Sequence, residues 1–213
     1  MKLAGSIALF HYWNRLRDGR SAPKRTEIEP ADIKKLLADT FILEKDTRGE
    51  AVFRLAGTRL CAAYGRELKG FSFPSLWRPK DQQLISRLLD SVFHKHSVAL
   101  IAYEAISRTG RSVPFELLAL PLEGGPESLR CLGVAAPAHR PFWLGADPIG
   151  DAVIDALRTV DPNAKKAAPP ERPAIGAPEL APIELDAAST LAGYGRARRI
   201  RHLLVLDGGR DEE

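Results

Sequence analysis

The sequence predicts an α+β protein, in which a five-stranded antiparallel sheet has helices on one face, an N-terminal helical cap and a Pro/Ala-rich C-terminal tail. Two observations predict the sheet and its helices. The chain has five strand-like apolar runs, with short links within the first pair and among the last three, and the strongest helical pattern lies between the second run and the third. A third observation sets the tail apart, since nine of the 16 prolines lie between residues 137 and 182.

The composition is that of a globular protein kept in a reducing compartment. Of its 213 residues 45% are hydrophobic and 27% are charged, and the formal net charge is only +4. This mild charge argues against a surface built throughout for nucleic acid. Cys61 and Cys131 lie far apart and form no CxxC pair, so we expect free thiols and a cytoplasmic protein. The apolar run near the N-terminus is too short to cross a bilayer, and we expect no membrane association.

Residues 1–39 are predicted to form the helical cap. The first helix covers about 6–17 and ends at Asp18-Gly19. A second helix is predicted near Pro30, because proline is favoured at the first helical position. The apolar residues at helical spacing are Ile7, Leu9, Phe10, Trp13 and Leu16 in the first helix, and Ile33, Leu36 and Leu37 in the second.

Residues 40–140 are predicted to form the main domain. Strands at 40–45 and 51–56 flank a turn that ends at Gly49, which is a hairpin signal. A short helix follows in "GTRLCAAYGRELKG", where Gly57 permits the turn out of the strand and Gly70 the exit. The long helix has one apolar face, formed by Leu84, Ile85, Leu88, Leu89, Val92 and Phe93. Three strands follow in "VALIAYEAIS", "RSVPFELLALPLE" and "SLRCLGVAAPA", whose short links predict antiparallel pairing.

Residues 141–213 are predicted to be a flexible, Pro-rich linker with a basic C-terminal tail. A short helix through Ile149, Val153 and Leu157 is predicted at its start. Three alternatives stay open for the apolar run after the basic cluster: it adds a strand to the sheet edge, it docks on another protein, or it has no fixed structure. The only dense basic run contains Arg196, Arg198, Arg199 and Arg201, which we predict to dock on a partner protein; nucleic acid is the less favoured alternative.

The order of elements, with a long helix before a three-strand antiparallel finish, resembles a PAS domain. The resemblance rests on "FRLAGTRLCAAYGRELKG", "FSFPSLW" and "SRTGRSVPFELLALPL", covers about residues 6–140, and is nearest to the single-domain PAS proteins of alphaproteobacteria that were first catalogued as a domain of unknown function. It implies a sensory or protein-interaction module, often dimeric, with a pocket between the sheet and its helices. It implies no catalytic residues.

The resemblance also implies where ligand and partner would bind. The predicted pocket is lined by Tyr64, Phe71, Phe73, Trp77, Leu84 and Leu88, with Tyr103, Phe115 and Leu117 on the opposite strands. The alternative is that these side chains only fill the core. PAS proteins often dimerise through an N-terminal helix, so we expect a homodimer whose interface is formed by Ile7, Phe10, Trp13 and Leu16.

The cofactor is not identified by the sequence. Some PAS proteins bind haem through a histidine on the long helix, where this chain has His94 and His96, but two histidines beside Lys95 are typical of a solvated helix end. Cys61 lies in the region where flavin-binding PAS proteins place a reactive cysteine. The sequence around it lacks the Asn and the Arg-Phe-Leu-Gln run of that site, so a small buried residue is the better interpretation.

No catalytic motif is present, and we expect a protein that is not an enzyme. Glu104 and Glu116 interrupt apolar strands; they either point outward or pair with a cation such as Arg54 or Arg108. The leading hypothesis is a cytoplasmic regulatory module that binds a protein partner of a signalling pathway, with or without a small ligand. The alternatives are a small-molecule-binding or enzymatic α+β domain, and a nucleic-acid binder that acts through its basic tail.

Overall fold

A computed structural model describes residues 1–124, 129–160 and 162, together with the backbone of two short strands near the C-terminus. The first compact unit spans Met1–Lys165. Its helices are α1 (Ala4–Arg17), α2 (Thr58–Tyr64) and α3 (Pro79–Lys95), and its strands are β1 (Thr40–Lys45), β2 (Ala51–Ala56), β3 (Val98–Ser107), β4 (Ser112–Leu122), β5 (Arg130–Pro137) and β6 (Ile149–Val160).

The six strands form one antiparallel sheet in the order β2-β1-β5-β4-β3-β6. The predicted fold class is confirmed, but the sheet has six strands instead of five. The extra strand is β6, where a short helix was predicted. It pairs with β3 from Val98↔Val160 to Ser107↔Ile149. The predicted helix is wrong: the segment is rich in β-branched residues, which suit an edge strand, and these outweigh its three apolar residues at helical spacing.

The position of β6 also corrects the predicted start of the tail. Residues 149–160 belong to the sheet, so the folded domain continues beyond residue 140. Ile149 and Ala152 are buried at the end of β6 that lies near the backbone of Arg78. The rest of the predicted linker lies, apart from residues 141–148, 162 and two short strands, outside the described residues.

Helices α2 and α3 cover one face of the sheet. The buried side of α3 consists of Ile85, Leu88, Leu89, Val92 and Phe93, as the spacing predicted. Leu84 belongs to the predicted stripe but remains 48% exposed. Successive helical residues are rotated by about 100°, which places Leu84 on the flank of the helix.

Helix α1 covers the opposite face of the sheet. Leu9, Tyr12 and Trp13 are buried there against residues of β4 and β5 such as Leu118 and Val134. The predicted second helix is wrong, since the segment forms two 3-10 turns at Pro30–Ile33 and Leu37–Asp39. The Tyr12 hydroxyl accepts the N–H of Glu29 at 2.9 Å, and β1 begins at Thr40.

Gly57 joins β2 to α2 for a reason other than the one predicted. Its φ of −68° is open to any residue. A Cβ there would lie 2.3 Å from the carbonyl oxygen of Leu37, so the glycine permits a close backbone approach. Gly70 does have a left-handed φ of 81°, and from it the chain runs back along the outer edge of β2, where the N–H of Phe53 donates to Phe71.

The second compact unit, Lys166–Glu213, is described only by the backbone of β7 (Ala197–Ile200) and β8 (Leu203–Leu206). These strands pair antiparallel, from Ala197↔Leu206 to Ile200↔Leu203. Among the helices described in the two units, none has both the length and the apolar character needed to span a membrane.

Candidate functional site

A continuous path of aromatic rings lies between the sheet and the helices α2 and α3. Consecutive ring centroids are 4.9 to 6.2 Å apart, a range in which rings attract each other. The path runs through Phe41, Phe53, Phe73, Trp77, Tyr103 and Phe115. At the Phe41 end of this path, residue 133 has to be glycine, because a Cβ there would lie 2.1 Å from the ring of Phe41.

Two tyrosine hydroxyls form the polar part of this core. Tyr64 on α2 and Tyr103 on β3 are 5% and 1% exposed, and their hydroxyls hydrogen-bond each other. Desolvation by burial raises the pKa of Tyr64 to about 12, although the hydrogen bond to Tyr103 lowers it somewhat. Burial also raises the pKa of Tyr103 well above its ordinary value, and the contact with Tyr64 adds to the rise. Both hydroxyls are therefore protonated at neutral pH.

The third polar group is the indole N–H of Trp77. The side chain is 3% exposed, and its Nε1 has no hydrogen-bond partner among the described residues. Leaving a buried donor unpaired is costly. Trp77 and both tyrosines line a cavity of about 10 Å³, which is room for one water molecule at most.

Five of the residues predicted to line the pocket lie around this cavity: Tyr64, Phe73, Trp77, Tyr103 and Leu117. Leu88 and Phe115 are buried in the same core without lining the cavity. Phe71 and Leu84 are at the surface, 43% and 48% exposed, so their predicted place in the pocket is wrong. Phe71 is exposed although Phe73, in the same segment along the edge of β2, is buried, and the guanidinium of Arg66 lies 4.5 Å from the Phe71 ring centroid.

Several residues of the cavity wall are missing from the predicted set. They are Phe41, Phe53, Leu60, Leu76 and Ala135. Phe41 and Leu43 lie on one face of β1 and Ile42 on the other, and all three are buried, so the apolar run marks them as core without showing which face each covers. Which core positions face the cavity depends on strand order, and that order brings β1 beside β5.

The candidate cofactor ligands lie away from the cavity. His94 is exposed near the end of α3, with its Nε2 3.4 Å from Nζ of Lys45. His96 ends α3 in a left-handed conformation with φ of 53°. No group of three metal-ligating side chains occurs in the described parts of the chain. Cys61 is partly buried, and desolvation raises the pKa of its thiol, which does not favour a reactive thiolate.

Glu116 is buried and faces α1, which excludes the outward orientation, the first of the two alternatives for this residue. Its carboxylate accepts the backbone N–H groups of Lys2 at 2.8 Å and Leu3 at 3.1 Å. Backbone amides therefore take the place of the predicted arginine partner. Arg54 instead pairs with Glu44 at 3.2 Å. One carboxylate oxygen of Glu104, Oε2, is buried without a hydrogen-bond partner in the described residues.

Helix α1 contains the residues predicted to form a dimer interface. Trp13 is fully buried within its own chain, and its Nε1 donates to the carbonyl oxygen of Pro121 at 2.7 Å. It is not available to a second chain, and that part of the prediction is wrong. Ile7 is 39% exposed, while Phe10 and Leu16 are half-buried, so these three remain predicted contacts.

The structure does not describe the side chains of the four arginines that were predicted to dock on a partner. Arg198 and Arg199 lie on β7, opposite Val205 and Leu204, and only their backbone is described. Arg196 and Arg201 lie outside the described residues.

Comparison with known proteins gives one family. A family model described as a PAS domain matches residues 1–136. The solved structures with a similar fold include a LOV protein from Rhodobacter sphaeroides, at 15% identity and a TM-score of 0.39, with 54% of this chain and 71% of that chain covered. They also include the PAS domain of BvgS from Bordetella pertussis, at 14% identity and a TM-score of 0.38, with 52% and 87% covered. No curated protein sequence matches this chain.

Proposed function

This chain belongs to the PAS domain family, and on that basis we propose that it is a regulatory module that acts by binding another protein. PAS domains are typically sensory or regulatory modules. The proposal places the protein in the cytoplasm and assigns it no catalytic activity. A signal would leave through contacts at its surface.

One observation carries this proposal, namely the closed core. A haem or flavin needs a pocket of several hundred Å³, whereas the aromatic core leaves about 10 Å³. The side chains around this space are at most a few per cent exposed, as Tyr103 and Phe73 illustrate at 1% each. A closely packed core of this kind stabilises the fold and favours a role for the surface.

The proposal includes a homodimer formed through α1. Ile7 is a large apolar side chain left 39% exposed, and Phe10 lies beside it on the helix. Burying two copies of such a stripe removes apolar area from water. We expect sedimentation analysis to show a dimer that Ile7→Glu converts to a monomer. A wild-type protein that stays monomeric at tens of micromolar would contradict the homodimer.

A second candidate function is the sensing of a small polar ligand in the core. The observation that favours it is the unpaired N–H of Trp77, a residue that lines the cavity together with Tyr64 and Tyr103. A ligand with a hydrogen-bond acceptor would satisfy this donor. It would also require α2 or α3 to move, because the cavity holds no more than one water.

Partner binding is tested by affinity capture with the full chain from extracts of its source, followed by titration of each captured protein with the purified chain. We expect one saturable partner whose own activity changes on binding. If no captured protein binds the purified chain, the proposed function is wrong. If binding requires a co-purifying small molecule, the second candidate replaces the first.

A further inference from the structure

A small cleft opens at the surface beside the aromatic core. It has a volume of about 90 Å³ and lies between α2, the end of β5 and the loop 138–148. Its floor is apolar, formed by Leu60, Ala62, Ala63, Phe115, Ala135 and Leu144. The space is enough for a small apolar group, since a cavity of about 150 Å³ takes up benzene.

Two arginines and one aspartate stand at the mouth of this cleft. Asp39 Oδ2 lies 2.7 Å from Arg59, and its Oδ1 lies 3.1 Å from Arg140. One carboxylate cannot neutralise two guanidiniums, so the cluster keeps a positive charge. The arginine side chains are 42% and 53% exposed, against 15% for Asp39, so the cations are the groups that face solvent.

The loop 138–148 also presents a large aromatic side chain to solvent. Phe142 is 92% exposed, by far the most of any large apolar residue in the described chain. The guanidinium of Arg111 lies 5.7 Å from its ring centroid. An exposed aromatic ring beside an arginine is typical of the residues that dominate protein interfaces.

The loop is held rigidly although its tip is exposed. Trp143, next to Phe142, is 7% exposed and belongs to the core. The N–H groups of Ala146 and Asp147 both donate to the carbonyl oxygen of Trp143 at 2.9 Å. The carboxylate of Asp147 accepts the hydroxyl of Thr109 from the β3–β4 turn. A tip ordered in this way loses little conformational entropy when a partner binds.

We propose that Phe142, Arg111, Arg140, Arg59 and the cleft form a docking surface for an acidic segment of a partner protein. The carboxylates of the segment face Arg111 and Arg140, and an adjacent apolar side chain packs on Phe142 and enters the cleft. This inference rests on the proposed function, because it assigns the surface through which the partner binds.

The charge and shape of the surface favour this occupant. An acidic partner is attracted by the excess positive charge, and a basic partner is repelled. The apolar floor requires that an apolar group accompany the carboxylates, because water in the cleft gains little from alanine and leucine walls. Phe142 stands two residues after Arg140, which lines the cleft, so their Cα atoms are at most about 7 Å apart and one short segment can reach both.

The test uses random twelve-residue peptides displayed on phage and selected on the full chain. We expect enriched peptides in which aspartate or glutamate stands next to leucine, isoleucine or phenylalanine. The most enriched peptide, synthesised and fluorescently labelled, should bind the wild type about tenfold more tightly than Phe142→Ser or Arg140→Gln. Its affinity should fall as salt is raised.

Two variants elsewhere on the surface serve as matched controls. Leu84→Ser removes an apolar side chain that is 48% exposed on α3, and Arg48→Gln removes a cation that is 77% exposed in the β1–β2 turn. Both should bind the peptide within about twofold of the wild type. Enrichment of neutral or basic peptides, no enrichment at all, or equal losses in the control variants would overturn the proposed surface.

The same variants separate a failure of this inference from a failure of the proposed function. If Phe142→Ser and Arg140→Gln bind the captured partner as tightly as the wild type does, the chain has a partner but the docking surface is wrong. If the peptides bind this surface while extracts yield no partner, the proposed function fails and the acidic-segment site remains.

Discussion

The carboxylate of Glu116 on β4 accepts the backbone N–H of Leu3, at 3.1 Å, immediately before α1 begins. Helix α1 has no local N-cap side chain and no acidic residue in its first turn. The first N–H groups of a helix need acceptors, and a negative charge there is favourable. A residue 113 positions away therefore supplies what the local sequence lacks and ties the helix to the sheet.

Replacing Glu116 should loosen α1 from the sheet. We expect Glu116→Ala to lower the free energy of unfolding by about 2 kcal/mol, since it removes charged hydrogen bonds and leaves two amides unpaired. Urea unfolding measures the loss, and hydrogen exchange should rise first in the amides of α1. Glu50→Gln, on an exposed turn, is the control and should change stability by less than about 0.5 kcal/mol. Equal losses in the two variants would contradict the account.

The link between Glu116 and α1 should also depend on pH. Desolvation by itself would raise the pKa of Glu116, but the nearby Ser6 hydroxyl and the amides of Leu3 and Lys2 outweigh it and lower the pKa below its ordinary 4.5. A lowered pKa in the folded state stabilises the protein above the unfolded value, and the benefit is lost as the pH falls through the folded value.

We therefore compare the wild type with Glu116→Gln by urea unfolding from about pH 7 to about pH 3. The difference in free energy of unfolding should be constant above the ordinary pKa of 4.5 and shrink below it. A difference that stays the same over the whole range would show that the charge of Glu116 is not what holds α1.

The two buried tyrosines, Tyr64 and Tyr103, should ionise at a higher pH than an ordinary tyrosine. The pKa of Tyr64 is raised to about 12, and that of Tyr103 also lies well above the ordinary value of 10. Raised values stabilise the folded state below the ordinary pKa, and this contribution is lost as the pH rises through the folded value. Tyrosinate absorbance near pH 11 should therefore show fewer ionised tyrosines in the folded chain than in the chain unfolded in guanidinium.

The sequence has four tyrosines, and a folded chain in which all four ionise together near their ordinary pKa would contradict the buried pair. Tyr103→Phe removes one member of this pair. Its stability should decline less steeply than that of the wild type above about pH 10.

Gly57 should be intolerant of a methyl group. A Cβ would lie 2.3 to 2.4 Å from the backbone of Leu37 and Ala38, and backbone cannot move aside as a side chain can. We expect Gly57→Ala to cost about 3 kcal/mol of stability. Gly70→Ala is the matched control, because it has open space around a φ of 81° and should cost about 1 kcal/mol. Thermal unfolding compares the two, and a smaller loss for Gly57→Ala would contradict the close approach.

The periodicity of the sequence was enough to place most of the core. The buried side of α3 follows from helical spacing, and the five predicted strands follow from apolar runs bounded by turn signals. The sixth strand was not predictable in this way. As an edge strand, β6 buries few side chains, and its pairing with β3 is fixed by backbone hydrogen bonds rather than by an apolar pattern.

The site was harder to predict because it depends on contacts between distant segments. Phe71 is exposed while Phe73, two residues further along the same edge of β2, is buried, and Glu116 points inward because the start of α1 lies over it. Trp13 looked like an interface residue since a stripe of aromatics does not show which face it covers. Its hydrogen bond to Pro121 settles that question.

The most direct test of the central claim is native mass spectrometry of the full chain purified from its source, together with its absorption spectrum. The claim is that the core is closed around about 10 Å³ and that the protein acts through its surface. We predict the mass of the polypeptide alone, as monomer or dimer, and no absorption beyond that of its aromatic residues. A stoichiometric added mass with a haem or flavin spectrum would contradict the claim.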